Sequence, residues 1–267
     1  MATDIPGFGW VTAAWETRRF RQRPGSFDGV YPNFSTAARG APKASMIGFN
    51  SAAMAELYRE RLDVVFPCDY PMMFWLRPLL GNTRRIFDVG GHIGLAFYGY
   101  RSYLTFPDDL NWVVQDVPAV VDAGRALALE RGADSLRFTS ELEDAQAADV
   151  LIASGSLQYI EAPLASLLKR LTRPPAHLLL NKLPLTDGPS FVTLQNAVYA
   201  MCPYHVFNRT QFEDSFIELG YKVIDRWGDP ERSCLLPRSP SRSVATYSGV
   251  YLRRDSSTVD AAGSPAA

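Results

Sequence analysis

Apolar and polar positions change their period along this chain, and the changes mark off its parts. From residue 84 onward, short apolar runs of strand type alternate with stripes of helical period. Strands are predicted over 84–89 (R-R-I-F-D-V), 111–115 (N-W-V-V-Q), 135–139, 149–153 (D-V-L-I-A) and 176–182 (A-H-L-L-L-N-K). Between them, helices are predicted from about 94 to 104 and from Pro118 to Arg131, with proline suited to the first turn and Gly132 as the stop. A further helix starts near Pro163, where Leu164, Leu167, Leu168 and Leu171 repeat at i, i+3, i+4 and i+7. Residues 191–199 (F-V-T-L-Q-N-A-V-Y) read as a packing helix on which Gln195 and Tyr199 could face a pocket. Thr210-Gln211-Phe212-Glu213 has the form of a capping box, with Phe212, Phe216 and Leu219 on the core face before Gly220. Two last strands, 221–227 and 246–253, flank a Pro-, Ser- and Arg-rich stretch that reads as a mobile hairpin tip rather than a lid.

Strands separated by helices imply a doubly wound, mostly parallel, Rossmann-like α/β sheet covered on both faces, here with an antiparallel C-terminal edge pair. Ahead of it, residues 1–50 scatter aromatics (Phe8, Trp10, Trp15, Phe20, Phe27, Tyr31, Phe34) among Gly, Pro and Arg, too many for a disordered tail. They read as a wrap on the domain surface; the sharper alternative is a cover over a site, with Tyr31 or Phe34 lining its pocket. Helices follow over 51–62 and 72–80. The expected division is an N-terminal wrap and helical cover over 1–82, a Rossmann-like domain over 83–254, and a disordered Ser/Ala/Gly-rich tail over 255–267.

Composition narrows the function classes. Hydrophobic residues make up 47% of 267, enough for a sizeable core, and a net charge of −1 leaves no electrostatic footprint for nucleic acid or an anionic membrane. Cys68, Cys202 and Cys234 lie far apart, which disfavours a disulfide framework or a zinc site and suits a reducing compartment. The N-terminal residues lack a signal-peptide pattern and no apolar run has membrane-spanning length, so a cytoplasmic protein is expected.

The candidate chemistry centres on D-V-G-G-H-I-G after the first predicted strand. Asp88 ends the strand; Gly90, Gly91 and Gly94 form a turn into a helix, where free amides and a helix dipole favour an anion. The dinucleotide fingerprint G-x-G-x-x-G is broken here, because Val89 stands where its first glycine belongs. A strand-end acid disfavours a nearby pyrophosphate and suits a cationic ligand such as S-adenosylmethionine, which carries an ammonium and a sulfonium. Asp116 ends the second strand of the same unit; a carboxylate there can accept from both ribose hydroxyls of an adenosine, with Val117 beside the adenine.

These residues resemble the class I S-adenosylmethionine-dependent methyltransferases over most of residues 84–253. Asp88, Gly90 and Gly94 match the motif D-x-G-x-G-x-G, with His92 in place of the middle glycine. Q-D-V-P-A-V (115–120) resembles the D-L-P-x-V segment of small-molecule O-methyltransferases, and S-G-S-L-Q-Y-I (154–160) the segment those enzymes place beside the sulfonium and the acceptor. L-L-N-K-L-P-L-T-D-G, F-V-T-L-Q-N and P-Y-H-V-F-N-R extend the likeness to a bacterial family read as methyltransferases and often associated with surface-polysaccharide genes. The resemblance implies S-adenosylmethionine as cofactor, held by Asp88, Gly90, Gly91, Gly94, Asp116, Val117, Ser154 and Gly155, and methylation of a hydroxyl on a small molecule or sugar.

For catalysis the candidates are His205, which follows the fifth predicted strand, and Tyr159. Gln158, Asn181, Lys182 and Asp187 could orient an acceptor, whereas His177 falls at the far end of its strand. No cluster has metal-ligand spacing. The rival readings are a nicotinamide-dependent oxidoreductase and a non-catalytic nucleoside- or partner-binding module on the same fold.

Overall fold

The computed structural model describes Phe20 and residues 22–255. Phe8, Trp10 and Trp15 of the predicted wrap, and residues 256–267 of the tail expected to be disordered, lie outside the described residues; Asp255 pairs with Lys222. In chain order the strands are β1 (Phe27–Tyr31), β2 (Arg85–Val89), β3 (Asn111–Gln115), β4 (Leu136–Thr139), β5 (Val150–Ser154), β6 (His177–Leu183), β7 (Leu185–Thr186), β8 (Phe191–Asn196), β9 (Met201–Asn208), β10 (Tyr221–Asp229) and β11 (Tyr247–Arg254).

Seven of them form one sheet in the order β10-β11-β6-β5-β2-β3-β4. β6, β5, β2, β3 and β4 run parallel, while β11 lies antiparallel between β6 and β10. This is the mixed, mostly parallel α/β sheet that the alternation of patterns predicts, with its antiparallel strands at one edge. The period of two divides each central strand between two cores: Ile86 and Ile152 face one apolar cluster, Phe87, Val89 and Leu151 the other. Both faces are buried, so these strands read as continuous apolar runs. Connection order reverses between β2 and β5, which makes a crevice at their carboxyl ends.

A second sheet, β1-β8-β9-β7, has no counterpart in the sequence expectations. The segment read as a packing helix over 191–199 is instead β8, antiparallel to both β1 and β9. All but one of its residues are buried, so it shows no polar alternation to betray a strand. β1, within the predicted wrap, is therefore part of a sheet rather than surface packing.

Three other expectations change. The helix over 51–62 is broken into Ala52–Glu56 and a short 3-10 turn at Arg59–Arg61, because the Met54 carbonyl turns to the Leu57 amide and to His92. The helix Arg209–Ile217 is capped by Asn208, whose side chain accepts from the Gln211 amide, and not by Thr210. The loop between β10 and β11 is not a free tip. Cys234 and Leu236 are buried with Phe27, Phe191 and Tyr204, and Cys234 and Val244 exchange two backbone hydrogen bonds of 2.8 and 2.9 Å. Two apolar anchors among its prolines, serines and arginines hold it down.

Candidate functional site

A cavity of about 780 Å³ lies over the carboxyl ends of β2, β3, β5 and β6, walled on the other side by the second sheet and the N-terminal segment. Of the predicted residues, Asp88, Gly90, Gly91, Asp116, Val117, Ser154, Gly155 and Tyr159 all line it. Gly94 and His205 do not.

The glycine turn owes its shape to contacts within the protein. A Cβ on Gly90, at φ +63°, would meet Ser156 Cβ at 2.3 Å, and one on Gly91 would meet Asp88 Oδ2 at 2.3 Å. The missing side chains at these two positions therefore do not open space for a ligand: neighbouring side chains fill it. Ser156 further locks the turn by donating to the Val89 carbonyl at 2.5 Å. Gly94 sits behind the cavity, at φ +94° as the N-cap of helix Leu95–Tyr100, with Leu136 and Tyr98 against it; it shapes the turn.

Asp88 is 1% exposed, under Gly91, and accepts from the Trp112 indole at 3.3 Å. Burial raises its carboxyl to a pKa of about 7; the indole bond and Lys182 pull it down, and Asp116 pushes it up. Asp116 takes the Val117 amide on Oδ1 at 2.8 Å and the His92 amide on Oδ2 at 2.9 Å. Burial raises it to about 6 against those two bonds. Two strand-end carboxylates near neutrality face one cavity, and a cationic or donor-rich ligand would favour their ionised forms.

The acceptor side is aromatic. Phe49 packs edge-on to Tyr159 at 4.8 Å, Tyr159 to Tyr204 at 5.1 Å, and Tyr204 to Phe27 at 4.9 Å. The hydroxyl of Tyr159 donates to Gln195 Oε1 at 2.6 Å, and that of Tyr204 to Tyr247 at 2.7 Å. Burial holds the Tyr159 phenol well above its ordinary pKa. It remains protonated at neutral pH, a hydrogen-bonding group and not a base. Phe34 reaches the cavity as the cover alternative anticipates; Tyr31 does not line it.

His205 is a correction. On β9 the side chain of Tyr204 joins the aromatic wall, and the strand's alternation turns His205 to the opposite face, between Phe34 and Phe207 and beside a smaller cleft. A base there has no access to the cavity. His177 accepts or donates at the Tyr251 hydroxyl, 2.8 Å away, at the amino end of β6, where its sequence position puts it.

Of the side chains that could orient an acceptor, Lys182 and Gln158 line the cavity and Asn181 and Asp187 do not, while the partnership of Asp69 escaped the sequence. Lys182 Nζ pairs with Asp69 at 2.8 Å, and both side chains are largely buried in the cavity wall. Lys182 has φ +57°, an uncommon conformation for a side-chain-bearing residue, and its chain passes Gly155. Asp69 and Lys182 are 113 positions apart and belong to no shared motif, so no sequence signal joins them. Gln115 and Gln158 line the cavity with buried side-chain oxygens that have no partner, as does His92 with its ring Nδ1. Among the described residues, no cluster of His, Cys, Asp or Glu could hold a metal ion, and no helix is long and apolar enough to cross a membrane.

No protein-family model and no curated protein matches the chain. Solved structures do. A chain from the complex of the Haloferax volcanii Trm112 methyltransferase activator with the methyltransferase assigned to it aligns with a TM-score of 0.50 at 13% identity, over 76% of this chain and 93% of that one. The 1,6-didemethyltoxoflavin-N1-methyltransferase of Burkholderia thailandensis, solved with its substrate and S-adenosylhomocysteine, aligns at 0.48 and 13% identity over 95% and 93%. The CcbJ methyltransferase of Streptomyces caelestis aligns at 0.46 and 12% over 76% and 98%. At such identities the likeness establishes a shared Rossmann-like fold.

Proposed function

We propose that this chain is an S-adenosylmethionine-dependent methyltransferase acting on a hydroxyl of a small molecule or sugar. One observation carries the reading: a single cavity at the crossover between β2 and β5 joins two near-neutral strand-end acids and a glycine turn to an aromatic wall. The methyltransferase folds that align with the chain support it. The residues fit the cofactor, because Asp88 and Asp116 offer anionic acceptors and Gln115 and His92 present buried acceptor atoms without protein partners. In that assignment Asp116 takes the ribose, Val117 the adenine, and Asp88, Gly90, Gly91, Ser154 and Gly155 surround the amino-acid part; Gly94 supports the turn from behind.

When bound, the cofactor supplies a methyl group on a sulfonium, a leaving group already activated. The chain's own task is then to align an oxygen and exclude water. Tyr159, tied to Gln195, stays protonated and orients the acceptor hydroxyl by hydrogen bonding, while Phe27, Phe49 and Tyr204 keep the surroundings dry. Gln158, with its unpartnered oxygen, is placed to accept a hydrogen bond from another donor of the acceptor molecule, since the hydroxyl's single proton is hydrogen-bonded to the Tyr159 oxygen, whose own proton is given to Gln195. With His205 outside the cavity, positioning stands in place of histidine base catalysis, and the acceptor hydroxyl's proton is released to solvent as its oxygen gains the methyl group. The second sheet and residues 22–82 form the acceptor-recognising cover, and the Rossmann-like unit holds the cofactor.

Calorimetric titration with S-adenosylhomocysteine and with NAD tests the reading. S-adenosylhomocysteine binds, NAD does not, and Asp116→Ala weakens the former at least tenfold. NAD binding alone would select the oxidoreductase instead.

A further inference from the structure

His92 occupies the position at which methyltransferases of this type carry a close-approach glycine, and its surroundings assign it a task. The residue has φ +56°, a left-handed conformation that costs a residue with a side chain, and it is 5% exposed. Its backbone amide is held by Asp116 Oδ2 at 2.9 Å. Its Nε2 lies 3.0 Å from the Met54 carbonyl oxygen. A carbonyl only accepts, so Nε2 carries the proton and Nδ1 is left as a lone-pair acceptor. The Tyr58 ring stands edge-on at 5.0 Å, and burial drops the imidazole to a pKa of about 4, leaving it neutral. Nδ1 is buried and has no partner among the described residues, although His92 lines the cavity. A buried acceptor without a donor is costly and calls for a ligand.

We infer that His92 Nδ1 accepts a hydrogen bond from a ribose hydroxyl of the bound cofactor, sharing the diol with Asp116, while Nε2 ties the same ring to the cover helix Ala52–Glu56. The ribose, rather than the amino-acid part, is indicated because the carboxylate that fixes His92's backbone is the one assigned to the ribose. His92 then replaces a backbone approach with a side-chain contact. This inference rests on the cofactor reading above.

The two ring nitrogens can be separated by substitution. Asparagine places an acceptor oxygen near the Nδ1 position and tolerates positive φ; glutamine reaches the Nε2 position and keeps a donor for Met54. His92→Asn is therefore expected to bind S-adenosylhomocysteine within about threefold of wild type, and His92→Gln at least tenfold more weakly, a range set by one unmet buried hydrogen bond. Thermal unfolding of each variant checks that it is folded. Methylthioadenosine, which lacks the ammonium and carboxylate, should lose the same factor in His92→Gln. Equal affinity of His92→Gln and wild type for S-adenosylhomocysteine would overturn the contact. A loss confined to S-adenosylhomocysteine and absent for methylthioadenosine would overturn its assignment to the ribose. If wild type binds neither compound, the cofactor reading itself fails.

Discussion

At the scale of single residues, the site is governed by how little water reaches its carboxylates. Asp88 moves from an ordinary value of 3.8 to about 7 and Asp116 to about 6, both chiefly through burial. A raised pKa in the folded state means that the native protein binds more protons than the unfolded chain between about pH 4 and pH 7. Stability from these groups is therefore full below about pH 4 and falls as pH rises through that window. Urea unfolding at pH 4.5 and pH 7.5 should show a drop in midpoint for wild type that shrinks in Asp88→Asn. Equal drops in the two proteins would mean that Asp88 is not the group concerned. A cationic ligand reverses the sign: ionised carboxylates attract it, so affinity for S-adenosylmethionine, which carries the sulfonium, should climb over the same range and level off about one unit above pH 7.

At the scale of elements, legibility followed the distance over which each signal acts. Strands β2 to β6 and the helices between them carry their own apolar periods, and Asp88 and Asp116 are readable because each ends such a strand. The second sheet was not readable, since Thr193 on β8 bonds to the Asp28 carbonyl on β1 across 165 positions. Nothing local in F-V-T-L-Q-N separates a doubly buried strand from a buried helix. The Lys182–Asp69 pair and the aromatic wall were missed for the same reason, and His205 was misplaced because a base assignment depends on which face of an unrecognised strand it occupies. The loop between β10 and β11 misled by composition: its polar residues outnumber Cys234 and Leu236, yet those two fix it. Leu236→Ala should cost about 2–4 kcal/mol in urea unfolding, as for a buried leucine; a free hairpin tip would show almost no change.

At the scale of the whole molecule, the cavity sits between two sheets, and several long-range contacts hold the halves around it. The Asn50 side chain accepts from the Ala119 amide at 3.0 Å, His92 reaches Met54, and Lys182 reaches Asp69. A ligand that bridges both halves stabilises the molecule by mass action. At a hundredfold excess over its Kd, S-adenosylhomocysteine should add about 2.7 kcal/mol, a rise in Tm of roughly 5–10 °C for a chain of this size. A scanning fluorimetry shift of that order would show that the ligand binds the folded molecule and not the unfolded chain; no shift at that concentration would mean that the native fold does not bind it.

The pairing of β1 with β8 also has a consequence for biosynthesis. Translation at about 5–20 residues per second puts roughly eight to thirty seconds between the emergence of Asp28 and that of Thr193. During that interval the early strand has no partner, and an unpaired edge is open to pairing with other nascent chains. The roof of the cavity is thus closed only after the five parallel strands it covers have emerged, though before β10 and β11, and the yield of soluble protein will depend on what shields residues 27–31 while the ribosome completes the other side of the site.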